Sequence, residues 1–403
     1  MNENHATDQQ PGISLNYLAF SFILLFVGVA ITIVQYKVPP VLEPIMAQFS
    51  IGLDTGSWLM SIFTAVGIFL SLPTGTLTKK LGPKTVLLLG CAIIVVGSVV
   101  GAFAGSAWLL VVSRGIEGVA FVFITVAAPL AVEKYVAPEH QGTANGIWAL
   151  WICFGSVIGS TATPLVFQAL GLTGTWLLYA AIVVVAAIIL AVFVRVPSQK
   201  RPMTAAELEP KPTLADYLKL MRPQALLYFY AYLVFNIEIL AVLSYTPTML
   251  QGQGMDASLS GFAASLPGLL AAVSSPVFGK IIDRTGKTKP YYLMGLAVSA
   301  PATLLMLTQA GPLLWVGAFA IGLIGYAIPV CTLTSLPQIA GSKELLPTAM
   351  GVLMLVQCFG EFLGSLVTPM LLGPSGTDWM FCGIVMCIVG ITGAVALLFV
   401  RFK

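Results

Sequence analysis

The sequence predicts an all-α membrane protein of twelve transmembrane helices, arranged as two six-helix bundles related by a pseudo-two-fold axis. The composition, the recurring apolar runs and an internal repeat indicate this fold class. Of the 403 residues, 58% are hydrophobic and only 9% are charged, whereas soluble domains carry about 25% charged residues. An apolar run of about 18 residues can cross a hydrocarbon core roughly 30 Å thick. Such runs predict spans near residues 16–38, 56–78, 84–104, 108–132, 142–168, 175–195, 225–249, 258–282, 290–309, 313–338, 347–372 and 379–400.

The longest polar interruption covers residues 197–224 and is rich in proline and charge. Because it follows the sixth predicted span, it divides the chain into two halves. We therefore expect an N-terminal bundle over 16–196 and a C-terminal bundle over 225–403, joined by a cytoplasmic linker at 197–224. Residues 1–15 are predicted to form a cytoplasmic tail.

The basic residues lie in alternate loops. Of the 19 lysines and arginines, all but Lys37 and Arg114 follow this pattern, and the intervening loops are acidic or neutral. Positively charged loops stay in the cytoplasm. The pattern predicts a multi-pass protein of a bacterial inner membrane with both termini in the cytoplasm. This orientation explains the positions of the basic residues, so no nucleic-acid partner is needed to account for them. The expected surroundings of the protein are the lipid bilayer.

The two halves share a sequence repeat. Residues 153–164 and 358–369 are identical at seven of twelve positions, at a constant offset of 205. Internal repeats build many secondary transporters, in which the solute binds near the bilayer midplane between the repeats. The repeat therefore predicts a transporter with a central cavity between its halves.

The loop after the eighth predicted span begins at Gly279 and continues through Asp283, Arg284, Gly286 and Lys287. It resembles the loop motif of the major facilitator superfamily at every defining position. The resemblance implies a cytoplasmic gate made by these five residues. An aspartate at a helix end can pair with arginine and with the positive end of a neighbouring helix.

Two further segments bear on this resemblance. The matching first-half loop has Lys79 where the family motif has aspartate, so a first-half latch of the common kind is not expected. The fourth span, with Arg114 and Gly118, is similar to the family's Arg-x-x-x-Gly motif. The chain as a whole resembles the cyanate/nitroimidazole permease branch. These resemblances imply transport by alternating access and leave the substrate open.

Five ionisable residues lie within or at the edge of the predicted spans. Each costs about 3 kcal/mol at a helix centre, so each needs a partner, a wet cavity or a neutral state. We predict that substrate is bound by Lys37, Arg114, Tyr36, Gln35 and Asn236. We predict that proton coupling or gating involves Glu117, Glu238 and Glu361.

The five charged residues also have a structural interpretation, which for Glu361 is pairing with another side chain. Arg114 and Glu117 stand three apart on one helix, so they can pair with each other. Lys37 can extend to the lipid headgroups. Glu238 can form a salt bridge with Lys37 or Arg114. Trp176, at the edge of a span, is predicted to lie at the membrane interface.

The two cations favour a secondary transporter of a small organic anion, with or without proton coupling. The alternative is a proton-driven exporter of cationic or neutral compounds, in which the three glutamates recognise the solute. An enzyme is not expected, because His5 and His140 lie outside the spans and no cofactor or metal site is indicated. We expect a monomer whose partners are the solute, the bilayer and, in the coupled case, protons.

Overall fold

A computed structural model describes residues 15–195, 214–342, 345–373 and 376–402. Every regular element in these ranges is helical. Eleven helical segments of the described residues are long and apolar enough to cross a membrane. Most of the predicted tail and linker lies outside the described residues.

The first half contains six helices of very different length. They are α1 (Tyr17–Tyr36), α2 (Leu42–Phe49), α3 (Leu53–Leu81), α4 (Pro83–Ala102), α5 (Ala107–Tyr135) and α6 (Pro138–Phe193). The short α7 (Leu214–Leu220) follows. The remaining helices are α8 (Pro223–Gly252), α9 (Ala257–Thr285), α10 (Lys289–Thr308), α11 (Pro312–Ala320), α12 (Ala327–Ala340), α13 (Leu346–Leu371) and α14 (Trp379–Leu398). A π-helical segment, Ile321–Gly325, joins α11 to α12.

The 56 residues of α6 do not form one straight helix. Gly171 has φ 64° and ψ −169°, a conformation that interrupts the helix. The hydroxyls of Thr163 and Tyr179 are 2.7 Å apart, although 16 residues of straight helix would span about 24 Å. The chain therefore folds back at Gly171, which gives α6 two arms.

The sequence repeat corresponds to the same kind of helix contact in both halves. Gly155 of α6 packs against Thr32 of α1, where an added Cβ would overlap the threonine Cβ. Gly360 of α13 packs against Asn236 of α8, where an added Cβ would lie 2.7 Å from the asparagine Cβ. Glycine allows this close approach of two helix backbones.

The two halves contact each other along α3 with α13 and along α6 with α9. Ser365 donates a hydrogen bond of 2.9 Å to Ser61. On the other side, a Cβ added to Gly261 would overlap the Ser160 carbonyl oxygen. These contacts position residues from both halves around the middle of the molecule.

Candidate functional site

Three charged side chains meet inside the first half. Lys37 directly follows α1, and the prolines at 39 and 40 start a 3-10 turn that redirects the chain. Its Nζ lies 2.7 Å from Oε1 of Glu117. Arg114 Nη1 lies 2.6 Å from Oε2 of the same carboxylate. We call Lys37, Arg114 and Glu117 the charge triad; none of the three is more than 1% exposed.

Two neighbours complete the surroundings of the triad. Ser98 of α4 donates a hydrogen bond of 2.5 Å to Oε1 of Glu117. The ammonium of Lys37 lies 4.2 Å from the ring centroid of Trp176, within range of a cation–π interaction. Trp176 is 0% exposed, so its indole packs inside the protein and not against lipid. Its ring lies against the buried Lys37.

Arg114 holds the last turn of α1 by its backbone. Its Nη1 and Nη2 donate to the carbonyls of Val34 and Gln35 at 2.8 and 3.0 Å, and its Nε donates to Leu59 of α3 at 3.0 Å. With the bond to Glu117, four of the five guanidinium N–H groups are used. Arg114 therefore connects α1, α3 and α5.

The triad carries a net charge of +1, because two cations share one carboxylate. Lys37 does not reach the surface, since it is 0% exposed. Neither cation pairs with Glu238. In the described residues, Lys37 therefore does not extend to the lipid headgroups, and Glu238 forms no salt bridge with Lys37 or Arg114.

Glu361 of α13 lies in a different setting. It is half-buried and accepts a hydrogen bond of 3.0 Å from Gln357, one turn earlier on the same helix. Gln357 in turn accepts a hydrogen bond of 3.1 Å from the Tyr232 hydroxyl. No basic side chain of the described residues pairs with Glu361.

Three tyrosines from different parts of the chain lie within electrostatic range of this carboxylate. They are Tyr36, Tyr232 and Tyr326. They come from α1, from α8 and from the residue between the π-helical segment and α12. The ring of Tyr326 also meets that of Phe235 edge-on at 6.0 Å. One carboxylate thus lies among tyrosines of both halves, and we call Glu361 with Tyr36, Tyr232 and Tyr326 the tyrosine–carboxylate cluster.

A narrow cavity opens beside Tyr36, with room for about one water molecule. The buried Oε1 of Gln35 has no hydrogen-bond partner there. Lys37 and Asn236, which were predicted to bind substrate, do not line the cavity; Asn236 donates to the Tyr232 carbonyl at 2.7 Å. The cavity is lined by Gln35, Tyr36, Pro39, Met60, Phe63, Thr64, Arg114, Leu240 and Ser244.

The predicted gate motif lies at the end of α9. Gly286 has φ 64° and caps the helix, a conformation that favours glycine. Asp283 and Arg284 are exposed, as is Lys287. Within the described ranges no ion pair involves any of the three. The described residues therefore do not show the ion pair that the motif implies; at Gly279, where the motif starts, a side chain would meet open space.

Several residues of these sites were not singled out by the sequence analysis. Gln357 carries a signal that could have found it, because it stands four residues before Glu361 and shares its helix face. Ser98 and Tyr326 carry no such signal. Their roles depend on contacts between helices that are distant in the sequence.

Comparison with known proteins places the chain in a family. The family model of the Major Facilitator Superfamily matches residues 18–365. Multidrug resistance protein MdtG of Proteus mirabilis is 28% identical over 56% of this chain and 56% of its own length. The galactose-proton symporter of Escherichia coli is 26% identical over 44% of this chain and 36% of its own length. These matches span about half or less of the relatives' lengths.

Solved structures show the same fold over nearly the whole chain. A bacterial homologue of the human lysosomal transporter Spinster has a TM-score of 0.77 at 16% identity, covering 96% of this chain and 97% of that one. A point mutant of the nucleoside transporter NupG has a TM-score of 0.75 at 14% identity, covering 95% of this chain and 99% of that one. With the family model matching most of its length, this chain belongs to the Major Facilitator Superfamily of membrane transporters.

Proposed function

We propose that the protein is a secondary active transporter of a small cationic or neutral organic solute, which binds between the halves at the tyrosine–carboxylate cluster. One observation carries this proposal. Glu361 has no basic partner among the described residues, whereas Lys37 and Arg114 are both paired with Glu117. Among the described residues, Glu361 is therefore a charged group between the halves that has no ion-pair partner.

The anion hypothesis depended on Lys37 and Arg114 as free cations. After its four hydrogen bonds, Arg114 has one N–H group left to bind a solute. Lys37 is fully buried, with its ammonium against the ring of Trp176. The net charge of +1 on the triad is the remaining argument for an anion. We therefore rank anion transport second.

A cation would find two kinds of attraction at Glu361. The carboxylate supplies charge, and the faces of nearby tyrosine rings attract cations. We expect export of the solute to be coupled to proton entry. The name of one relative, a galactose-proton symporter, agrees with such coupling, and the name of another, a multidrug resistance protein, agrees with export.

We further propose that the chain crosses a bacterial inner membrane twelve times as a monomer, with both termini in the cytoplasm. The fold-back at Gly171 supports two crossings by α6. At the end of the molecule where α1 meets α2, Gln251 of the second half donates to the Pro40 carbonyl at 3.0 Å. This contact, together with the exposed Asp283 and Arg284, supports a state closed to the exterior and open to the cytoplasm.

Thermal unfolding of the purified protein with three probes tests the solute class. Ethidium represents organic cations, benzoate organic anions and galactose neutral solutes. We expect saturable stabilisation by ethidium, since a ligand that binds only the folded state raises its stability. The Glu361→Gln variant should lose this effect. Glu43→Gln, which changes an exposed carboxylate on α2, should keep it.

The opposite result is equally specific. Stabilisation by benzoate that disappears in Lys37→Gln would establish anion binding and overturn the proposal. In that case Glu361→Gln should leave binding unchanged.

A further inference from the structure

Glu238 is a carboxyl group buried inside the second half that no contact satisfies. It lies near the middle of α8 and is 1% exposed. Neither of its two oxygens has a hydrogen-bond partner in the part of the chain that the structure describes. No ion pair of the described residues involves it. An isolated ionised carboxylate in such a place would be very costly.

The surroundings of Glu238 are shaped to hold this group. A Cβ added to Gly390 of α14 would overlap the Glu238 Oε1 and would lie 2.6 Å from the Ala300 Cβ of α10. The carboxyl therefore lies directly on the backbone of α14, in a niche that any larger residue at 390 would fill. Two small residues on two helices form its walls.

Two buried hydroxyls of α10 are also without partners in the described residues. Ser299 and Thr303 of α10 are each 1% exposed, and neither hydroxyl has a hydrogen-bond partner among the described residues. Ser299 adjoins Ala300 in the chain, and Thr303 follows one turn later on the same helix. Buried polar groups are nearly always hydrogen-bonded. Glu238 is thus one of several buried polar groups of the second half that the described residues leave without a partner.

No charged group that the structure describes on the neighbouring helices compensates Glu238. The titratable side chain that α14 places near it is Cys387, and α10 contributes the apolar Ala300 to the niche. The two buried cations of the first half, Lys37 and Arg114, are paired with Glu117. The carboxyl is therefore compatible with this site when it carries a proton.

We infer that Glu238 is a proton-binding site of the transport cycle, separate from the solute site at Glu361. The proton is held in the closed niche in this conformation. It passes from one carboxyl oxygen to water when α10 and α14 move away from α8 and water enters, and a proton from water replaces it on return. No other bond forms or breaks. This inference rests on the proposed transport function and assigns proton and solute to different carboxyl groups.

Infrared difference spectroscopy of the purified protein tests the bound proton without any transport. The spectrum of the wild type minus that of Glu238→Gln at neutral pH should show the carbonyl stretch of a protonated carboxylic acid. A difference spectrum with only ionised carboxylate bands would overturn the inference. The neutral, nearly isosteric glutamine should allow folding.

Flux in reconstituted vesicles tests the role of the proton. With ethidium as the probe, Glu238→Gln should lose accumulation driven by a pH gradient but keep the exchange of ethidium across the membrane. Glu361→Gln should lose both. Accumulation by Glu238→Gln at the wild-type level would overturn the inference. Absence of all flux in the wild type would instead contradict the proposed function, while the infrared result would stand.

A glycine pair supplies a second set of variants. Gly390→Ala should displace the Glu238 carboxyl from its niche, with loss of pH-driven accumulation and of the infrared band. Gly393→Ala, one turn later on α14, places its Cβ 3.1 Å from Val234 and should change neither. Equal behaviour of the two variants would contradict a dedicated niche.

Discussion

The ammonium of Lys37 lies 2.7 Å from the carboxylate of Glu117, 80 residues later in the chain, and both side chains are fully buried. The pair joins the end of α1 to the middle of α5. Arg114 shares the same carboxylate. Glu117 is therefore the one anion of the triad, and both cations depend on it for a counter-charge.

Glu117→Gln should be the most damaging change in the triad. It leaves two adjacent buried cations without a counter-charge, and removing one partner of a buried ion pair typically costs about 3–5 kcal/mol. Lys37→Met leaves the neutral Arg114–Glu117 pair and should cost clearly less. Thermal unfolding in detergent measures the difference. Equal loss of stability in the two variants would show that charge balance does not hold this cluster together.

Arg114→Lys should also destabilise the protein, although it keeps the charge. A lysine ammonium cannot reproduce the planar fork of guanidinium donors, so the hydrogen bonds to Val34, Gln35 and Leu59 cannot all persist. We expect a loss of about 2 kcal/mol or more, since hydrogen bonds of charged groups contribute about 1.5–3 kcal/mol each. Arg195→Lys, at an exposed position, is the control and should leave the unfolding temperature unchanged.

A disulfide across the halves should stop transport. The Ser71 hydroxyl of α3 lies 4.0 Å from the Cys358 sulfur of α13, so Ser71→Cys places two thiols close enough to be oxidised. Because alternating access separates the halves, flux should be lost on oxidation and recovered on reduction. The double variant Ser71→Cys/Cys358→Ser should be insensitive to the oxidant. Full flux in a completely cross-linked protein would show that α3 and α13 do not separate here.

Gly261→Ala should disfavour the conformation described here. Its Cβ would overlap the Ser160 carbonyl oxygen of the other half, so α9 and α6 must move apart. Hydrogen–deuterium exchange should show faster exchange in both helices around this contact. Gly146→Ala on α6, where no atom lies within 4 Å of the added Cβ, should exchange like the wild type. Unchanged exchange in Gly261→Ala would mean that the contact is not a tight one.

Much of the fold could be read from the sequence. Apolar runs can satisfy their backbone in a bilayer only as helices or closed barrels, and eleven candidate spans, all helical, are observed among the described residues. The family resemblance of the loop from Gly279 to Lys289 is confirmed by a match over residues 18–365. The α6 helix is counted as one of these eleven segments, although it has two arms. Its fold-back depends on the backbone conformation of one residue, Gly171.

The site was less predictable. The cost of charge in a membrane singled out Lys37, Arg114, Glu117, Glu238 and Glu361 from their types alone. Their spacing also allowed the pair between Arg114 and Glu117, because it is local to one helix. It could not show that Lys37 would join that pair, since the contact spans helices 80 residues apart.

The sequence by itself therefore determined the membrane class, the helical architecture and the small set of charged residues that need an explanation. Only the tertiary structure decided which of them neutralise each other. Three are joined in the triad, Glu361 remains among tyrosines of both halves, and Glu238 is enclosed against Gly390. The physical reason is that hydropathy and helix periodicity act along the chain, whereas ion pairing depends on distances between helices that packing alone sets.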